Sequence, residues 1–131
     1  MRIVAGLFLA FIILSSFHQI DNLMGTWQYA GDITNGKKSA APTEYSLQRN
    51  YTSSTYEGYV IEKGYEPQKY ETGNYKLSGD SCLEIQTWCM QPSNLLNVAI
   101  HYHSHVVNDT LVLTGVLPNG TAVEEYWKKI K

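Results

Sequence analysis

The sequence of 131 residues has few charged side chains and no surplus of positive charge. Lysine and arginine together number 10 and aspartate and glutamate number 12, which gives a formal net charge of -2 at pH 7. A protein that binds the phosphate backbone of nucleic acid normally carries a basic surplus, so nucleic acid is not expected as a partner. At this length the chain has room for one domain but not for a two-domain enzyme.

Common catalytic motifs are also missing from the sequence. It contains no Gly-x-Ser-x-Gly, no His-Glu-x-x-His and no phosphate-binding glycine loop. Glu57 and Glu84 lie on predicted strands and could meet across a barrel. A strand carboxylate without a neighbouring base or nucleophile is, however, typical of a surface or barrel-mouth residue. We therefore expect a protein that is not an enzyme and that uses no cofactor.

Phenylalanine is missing from most of the chain, because all three Phe lie within the first 17 residues. In that segment Met1-Arg2 precedes an uncharged run from Ile3 to Leu14. Such a run extends about 18 Å as a helix, which is too short for a hydrocarbon layer of about 30 Å, so no permanent membrane span is expected. We interpret residues 1–20 as a secretory signal peptide that is cleaved between residues 16 and 20. Residues 21–131 then form an exported domain, periplasmic or secreted.

Cysteine occurs only twice, as Cys82 and Cys89. On one extended strand their Cα atoms would be about 23 Å apart, whereas a disulfide requires a separation below about 7 Å. The segment 83–88 contains no Gly, Pro, Asn or Asp that would reverse the chain between them. We therefore expect two unpaired thiols, although export would permit a disulfide.

Short runs rich in Tyr, Thr, Val, Ile and Trp make up the remainder of the chain, and turn residues separate them. Asn108-Asp109 and Pro118-Asn119-Gly120 divide the last three runs, a spacing typical of consecutive antiparallel hairpins. The pattern predicts an all-β fold, an up-and-down antiparallel meander of about eight strands closed into a small barrel. A long first loop is expected over Asp32–Thr43. The predicted strands are 25–32, 44–50, 53–62, 69–78, 81–88, 96–106, 110–116 and 121–130.

Several short motifs occur in the order and spacing of a known family. They are Gly25-Thr26-Trp27, Gly73-Asn74-Tyr75, Gly79-Asp80, the run from Asn108 to Gly115, and Glu125-Tyr126-Trp127-Lys128-Lys129. Together they resemble the uncharacterised lipocalin-like, calycin-type domains that bacteria of the Bacteroidetes type export. The resemblance covers nearly all of the chain after the leader. It implies a lipocalin-like barrel, and lipocalins typically carry small hydrophobic molecules.

Four residues form the structural signature that this resemblance implies, namely Gly25, Trp27, Trp127 and Lys128. We expect Trp27 to close one end of the barrel rather than to contact a ligand, because its large area stabilises a core wherever it is buried. Lipocalins usually place an arginine of the last strand against this tryptophan. Here Lys128 or Lys129 would cover the ring instead, through a cation–π contact.

The alternation of side chains along a strand predicts which of them enter the barrel. Five residues are assigned to the interior and to ligand binding, namely Tyr59, Tyr75, Tyr102, Leu111 and Leu113. A phenol contributes apolar area and a directed hydrogen bond, which suits a small hydrophobic or amphipathic ligand. The sequence alone also permits an interior that these side chains fill completely.

Two other functions remain open from the sequence. His101, His103 and His105 alternate on one strand at about 6.6 Å, close enough for neighbours to share a metal ion. A solvated outer face of an antiparallel strand explains this histidine stripe equally well. The second alternative is a protein or glycan interaction module with a solid interior, whose binding residues would be the exposed tyrosines Tyr45, Tyr51, Tyr56, Tyr65 and Tyr70.

Overall fold

The structure, a computed structural model, describes residues 22–131. The signal peptide that the sequence predicts, residues 1–20, lies outside these residues, and so does its boundary with the domain. The described part of the chain forms strands and no helix. The strands are β1 (Gly25–Thr34), β2 (Lys37–Ser39), β3 (Ser46–Tyr51), β4 (Thr55–Ile61), β5 (Gln68–Ser78), β6 (Ser81–Cys89), β7 (Ala99–Val107), β8 (Thr110–Val116) and β9 (Ala122–Lys129).

Eight of these strands form a closed antiparallel barrel in up-and-down order. Each strand from β3 to β8 pairs with the next along the chain, and β1 pairs with both β3 and β9. The closing β1–β9 ladder runs from Trp27 opposite Lys129 to Thr34 opposite Val123. The predicted fold class and the predicted meeting of the first and last strands are therefore confirmed.

The ninth strand, β2, lies inside the segment that the sequence predicts as a long first loop. It pairs with the end of β1 through a two-residue turn at Asn35-Gly36. Both turn residues have positive φ, 49° and 81°, as the tight hairpin turn that matches strand twist requires. The loop prediction over Asp32–Thr43 is wrong at this hairpin, although its Asn-Gly pair is a strong hairpin signal.

One end of the barrel is closed by the residues that precede β1, and we call it the closed end. Leu23 is buried there, and its backbone N–H donates to the Tyr75 hydroxyl at 2.9 Å. The indole N–H of Trp27 donates to the Leu23 carbonyl at 2.8 Å. Tyr75 in turn donates to the carbonyl of Thr52. Trp27 is thus buried beside this segment, and its role as an end plug stays a prediction.

The opposite end is bordered by three longer connections, and we call it the open end. These connections are 62–67, 90–98 and 117–121, which follow β4, β6 and β8. Within residues 22–131 there is no helix long and apolar enough to cross a membrane.

Both cysteines lie on β6 and both are free, as the strand geometry predicts. Cys82 is buried in the core, and burial raises the pKa of its thiol to about 12. Cys89 at the end of the strand is partly exposed. The core of the barrel thus holds a thiol that packs as a small apolar side chain.

Candidate functional site

The structure places four of the five predicted interior residues inside the barrel. Leu111 and Leu113 are 0% exposed, and Tyr75 and Tyr102 are also buried. Leu111, Leu113 and Tyr75 belong to the packed core, whereas Tyr102 also lines a cavity. Alternation along β5, β7 and β8 therefore identifies the inner face correctly, but only Tyr102 borders empty space.

The inward orientation predicted for Tyr59 is wrong. On β4 the buried positions are those of Tyr56 and Gly58. Tyr59 lies on the outer face, where its hydroxyl donates to the carboxylate of Glu57, which also pairs with Lys69 at 3.4 Å. Glu57 consequently does not meet Glu84 across the barrel.

Tyr59 lies on the outer face because large side chains fill the interior next to Gly58. Gly58 faces Arg49 on β3 and Glu71 on β5 across the ladders. A Cβ atom at position 58 would lie 2.6 Å from the Cγ of Glu71, so the inner position requires glycine. The apolar pair Tyr59 and Ile61 therefore occupies the outer face.

A cavity of about 190 Å³ lies inside the barrel toward the open end. A dry cavity of about 150 Å³ can hold benzene, so this one has room for a single ring-sized molecule. Its lining combines aliphatic side chains, phenols and an unusual number of charged groups. The lining residues are Arg49, Tyr56, Glu71, Glu84, Gln86, Leu95, Ile100, Tyr102, Leu117, Val123 and Glu125.

Arg49 lies at the centre of the charged groups. Its Nε and one terminal nitrogen each lie 3.0 Å from Oε1 of Glu71, and the other terminal nitrogen lies 3.0 Å from Oε1 of Glu84. The guanidinium carbon is 4.5 Å from the ring centre of Tyr56 and 4.7 Å from that of Trp127. Two carboxylates and two aromatic faces thus hold the guanidinium in one orientation.

Several polar atoms that border the cavity have no hydrogen-bond partner among residues 22–131. Glu84 accepts hydrogen bonds from Arg49 and Tyr51 through Oε1 alone, which leaves Oε2 free. The hydroxyls of Tyr56 and Tyr102 make no hydrogen bond to the described residues, although these side chains are only 2% and 7% exposed. Every fully enclosed polar side-chain atom of the described residues has a partner, so these free atoms are not fully enclosed, and the residues that carry them line the cavity.

Glu125 adds a third carboxylate to the cavity wall. Its Oε2 accepts a hydrogen bond from the indole N–H of Trp127 at 3.1 Å. Glu125 forms no ion pair among the described residues, whereas Glu71 and Glu84 both pair with Arg49. One guanidinium therefore faces three carboxylates, and the cavity carries an excess of formal negative charge.

Burial shifts the protonation of these groups. It raises the pKa of Glu84, and the nearby Arg49 opposes that shift. Burial and the carboxylates of Glu84 and Glu125 raise the pKa of Tyr102, so its hydroxyl stays protonated and remains a donor. The cavity thus offers acceptors from carboxylates and donors from phenols.

Sequence reasoning did not identify Arg49, Glu71 and Glu125 as interior residues. A usable signal exists, because Glu71 shares the parity of Gly73 and Tyr75, which the sequence places inside. Glu125 likewise shares the parity of Trp127 on β9. The assignment from sequence preferred apolar side chains at inward positions and so missed the charged layer, by which we mean Arg49, Glu71, Glu84 and Glu125.

Of the predicted structural signature, Trp27 and Trp127 are both buried. The ammonium of Lys129 lies 5.6 Å from the ring centre of Trp27, so Lys129 and not Lys128 covers this ring. Lys128 is exposed on the neighbouring, outward position. Gly25 has a φ of 127°, and a Cβ atom there would lie 2.4 Å from the carbonyl oxygen of Lys131.

The histidine stripe lies on the outer face of β7, as its parity predicts. His101, His103 and His105 are all exposed. His103 pairs with the carboxylate of Asp80 at 2.9 Å, and the rings of His103 and His105 are 5.9 Å apart. Within residues 22–131 no group of three His, Cys, Asp or Glu side chains is arranged to hold a metal ion.

The five tyrosines of the interaction-module alternative do not share one surface. Tyr45 and Tyr65 are exposed, whereas Tyr51 and Tyr56 are buried inside the barrel and Tyr70 is partly buried. The exposure expected for Tyr51 and Tyr56 is therefore wrong, because both rings pack around Arg49 and each other.

No protein-family model matches this chain. No curated protein matches its sequence either.

Proposed function

We propose that this chain is an exported, lipocalin-like binding protein without catalytic activity, which takes one small amphipathic molecule into the barrel through its open end. The observation that carries this proposal is the cavity itself, whose wall presents polar atoms that remain accessible and have no hydrogen-bond partner among residues 22–131. A bound ligand would supply the missing partners.

The distribution of side chains around the cavity favours an amphipathic ligand over a purely hydrophobic one. Leu95, Leu117 and Val123 line the cavity beside the connections of the open end, and Ile100 lies at the start of β7. The charged residues lie deeper, between β3, β5, β6 and β9. A molecule that enters polar end first would place its apolar part against these aliphatic side chains.

Size limits the ligand as well. Cavities that take drug-sized ligands are commonly about 300–1,000 Å³, and this one is about 190 Å³. A long-chain lipid would not fit inside, whereas a molecule with one ring would.

The lining favours binding over catalysis. It contains no serine, threonine, cysteine, histidine or lysine, so no hydroxyl or thiol nucleophile paired with a histidine or lysine base lies among the lining residues. The charged leader, Met1-Arg2 followed by an apolar run, supports export.

A thermal-shift screen of ring-sized amphipathic molecules against the mature protein tests the proposal, and native mass spectrometry of protein from its own cells complements it. We expect at least one molecule to raise the melting temperature and to bind with a stoichiometry of one. Val123→Trp should abolish the shift by filling the cavity. Ala122→Trp is the matched control, because residue 122 is exposed on the adjacent position.

If no molecule in the screen binds, or if binding survives in the Val123→Trp variant, the barrel interior is not the ligand site.

A further inference from the structure

We infer that the ligand is a small organic cation, an amine or amidine attached to an apolar group of about one ring, whose charged end lies between Glu84 and Glu125. This inference rests on the proposed function and names the chemical class of its ligand. It follows from three features of the cavity. These are the partners that its guanidinium already has, the acceptor atoms that receive no hydrogen bond, and the excess of negative charge.

The positive charge of Arg49 is already paired with protein groups. Its nitrogens already bind Glu71, Glu84 and the hydroxyl of Tyr51, at 3.0 Å in each case. The rings of Tyr56 and Trp127 also contact it, with ring centres 4.5 and 4.7 Å from the guanidinium carbon. An anionic ligand would therefore find no free cation among the residues that line the cavity.

The free acceptors of the cavity are carboxylate oxygens. Oε2 of Glu84 receives no hydrogen bond from the described residues, and Glu125 uses only Oε2, toward the indole of Trp127. An ionised carboxylate can only accept hydrogen bonds, so the ligand must donate. An ammonium group carries several donors and the opposite charge, and hydrogen bonds between ionised partners are the strongest of this kind.

Charge distinguishes a cation from the other small molecules that could enter. Arg49 balances at most one of the three carboxylates, and Glu125 has no ion-pair partner among residues 22–131. A cation restores the balance in a site where water screens poorly, whereas an anion adds repulsion. The phenols of Tyr56 and Tyr102 lie beside the same space, and their rings also favour a cation.

Three probes that share one ring but differ in charge separate these cases. Benzylamine, benzyl alcohol and benzoate are titrated calorimetrically into the mature protein at pH 7. We expect benzylamine to bind at least about tenfold more tightly than benzyl alcohol, and benzoate not to bind.

Glu125→Gln keeps the shape of the cavity wall but removes its unpaired charge. We expect this variant to bind benzylamine about tenfold less tightly, with the affinity for benzyl alcohol unchanged. Glu124→Gln is the matched control, since it makes the same change at the adjacent position, which faces away from the barrel interior. A general structural disturbance would lower the affinity for both probes.

The outcomes distinguish the inference from the proposed function. If benzyl alcohol or benzoate binds as tightly as benzylamine, the cation assignment is overturned while binding inside the barrel stands. An equal loss of benzylamine affinity in the Glu124→Gln and Glu125→Gln variants would also overturn it. If none of the three probes binds at millimolar concentration, both the inference and the proposed function fail.

Discussion

At the scale of single residues, Arg49 supplies the positive charge that balances the carboxylates buried inside the barrel. The guanidinium contacts two buried carboxylates, and each would be an isolated buried charge without it. Breaking a buried ion pair by removing one partner is far more costly than replacing the whole pair with apolar side chains.

Arg49→Met should therefore lower the free energy of unfolding by about 3–5 kcal/mol at pH 7, as measured by urea denaturation. Methionine retains an unbranched apolar stem, so the loss reports mainly on the missing cation. The triple variant with Glu71→Leu and Glu84→Leu, which removes the stranded carboxylates as well, should recover much of the stability.

The loss in the Arg49→Met variant should become smaller as the pH falls. Burial already raises the pKa of Glu84 above its unfolded value, and removal of the cation raises it further. Between the unfolded pKa of Glu84 and its raised pKa in the folded variant, the folded state binds more protons than the unfolded state. Protonation therefore stabilises the folded variant as the pH falls. A variant that is as stable as the parent at pH 7, or whose deficit grows in acid, would contradict this role of Arg49.

At the scale of secondary-structure elements, the segment before β1 acts as a plug for the closed end. Leu23 is 2% exposed, whereas the adjacent Met24 is 54% exposed. The plug is held by hydrogen bonds from its backbone to Tyr75 and from Trp27 to its carbonyl.

Leu23→Ala should lower the free energy of unfolding by about 2–5 kcal/mol, because it leaves a void under Trp27. Met24→Ala, one residue further along and exposed, should change it by less than about 0.5 kcal/mol. Both values come from denaturant unfolding of the two variants beside the parent. Equal effects of the two substitutions would show that the segment does not close the barrel.

The strands also show how far the sequence predicts the interior. Alternation places Tyr102, Leu111 and Leu113 correctly, since β7 and β8 have one clearly apolar face. On β4 it fails, because Tyr59 is apolar enough to suggest the inner face while the true inner position, 58, is a glycine. That glycine is needed because the side chains of Glu71 and Tyr70 occupy the space beside it, a fact that depends on residues distant in sequence.

At the scale of the whole molecule, the barrel has one end filled with packed side chains and one end with a charged cavity. Up-and-down order and closure were predictable. Turn pairs such as Asn108-Asp109 and the even spacing of the strands indicate that strands adjacent in sequence are also adjacent in the barrel. The charged layer was not predictable in the same way. Arg49 and Glu71 flank Gly58 on consecutive strands, whereas Glu84 and Glu125 line the same cavity from β6 and β9, which only the closed barrel brings around it.

The central claim is that this charged layer is a binding site for a small cation, and not merely a structural ion cluster. A crystal structure of the mature protein soaked with benzylamine tests it most directly. We expect density for the ring beside Leu117 and Val123, with the ammonium nitrogen within hydrogen-bond distance of Glu84 and Glu125. An empty or water-filled cavity at saturating benzylamine, or the amine bound only on the outer surface, would contradict the claim.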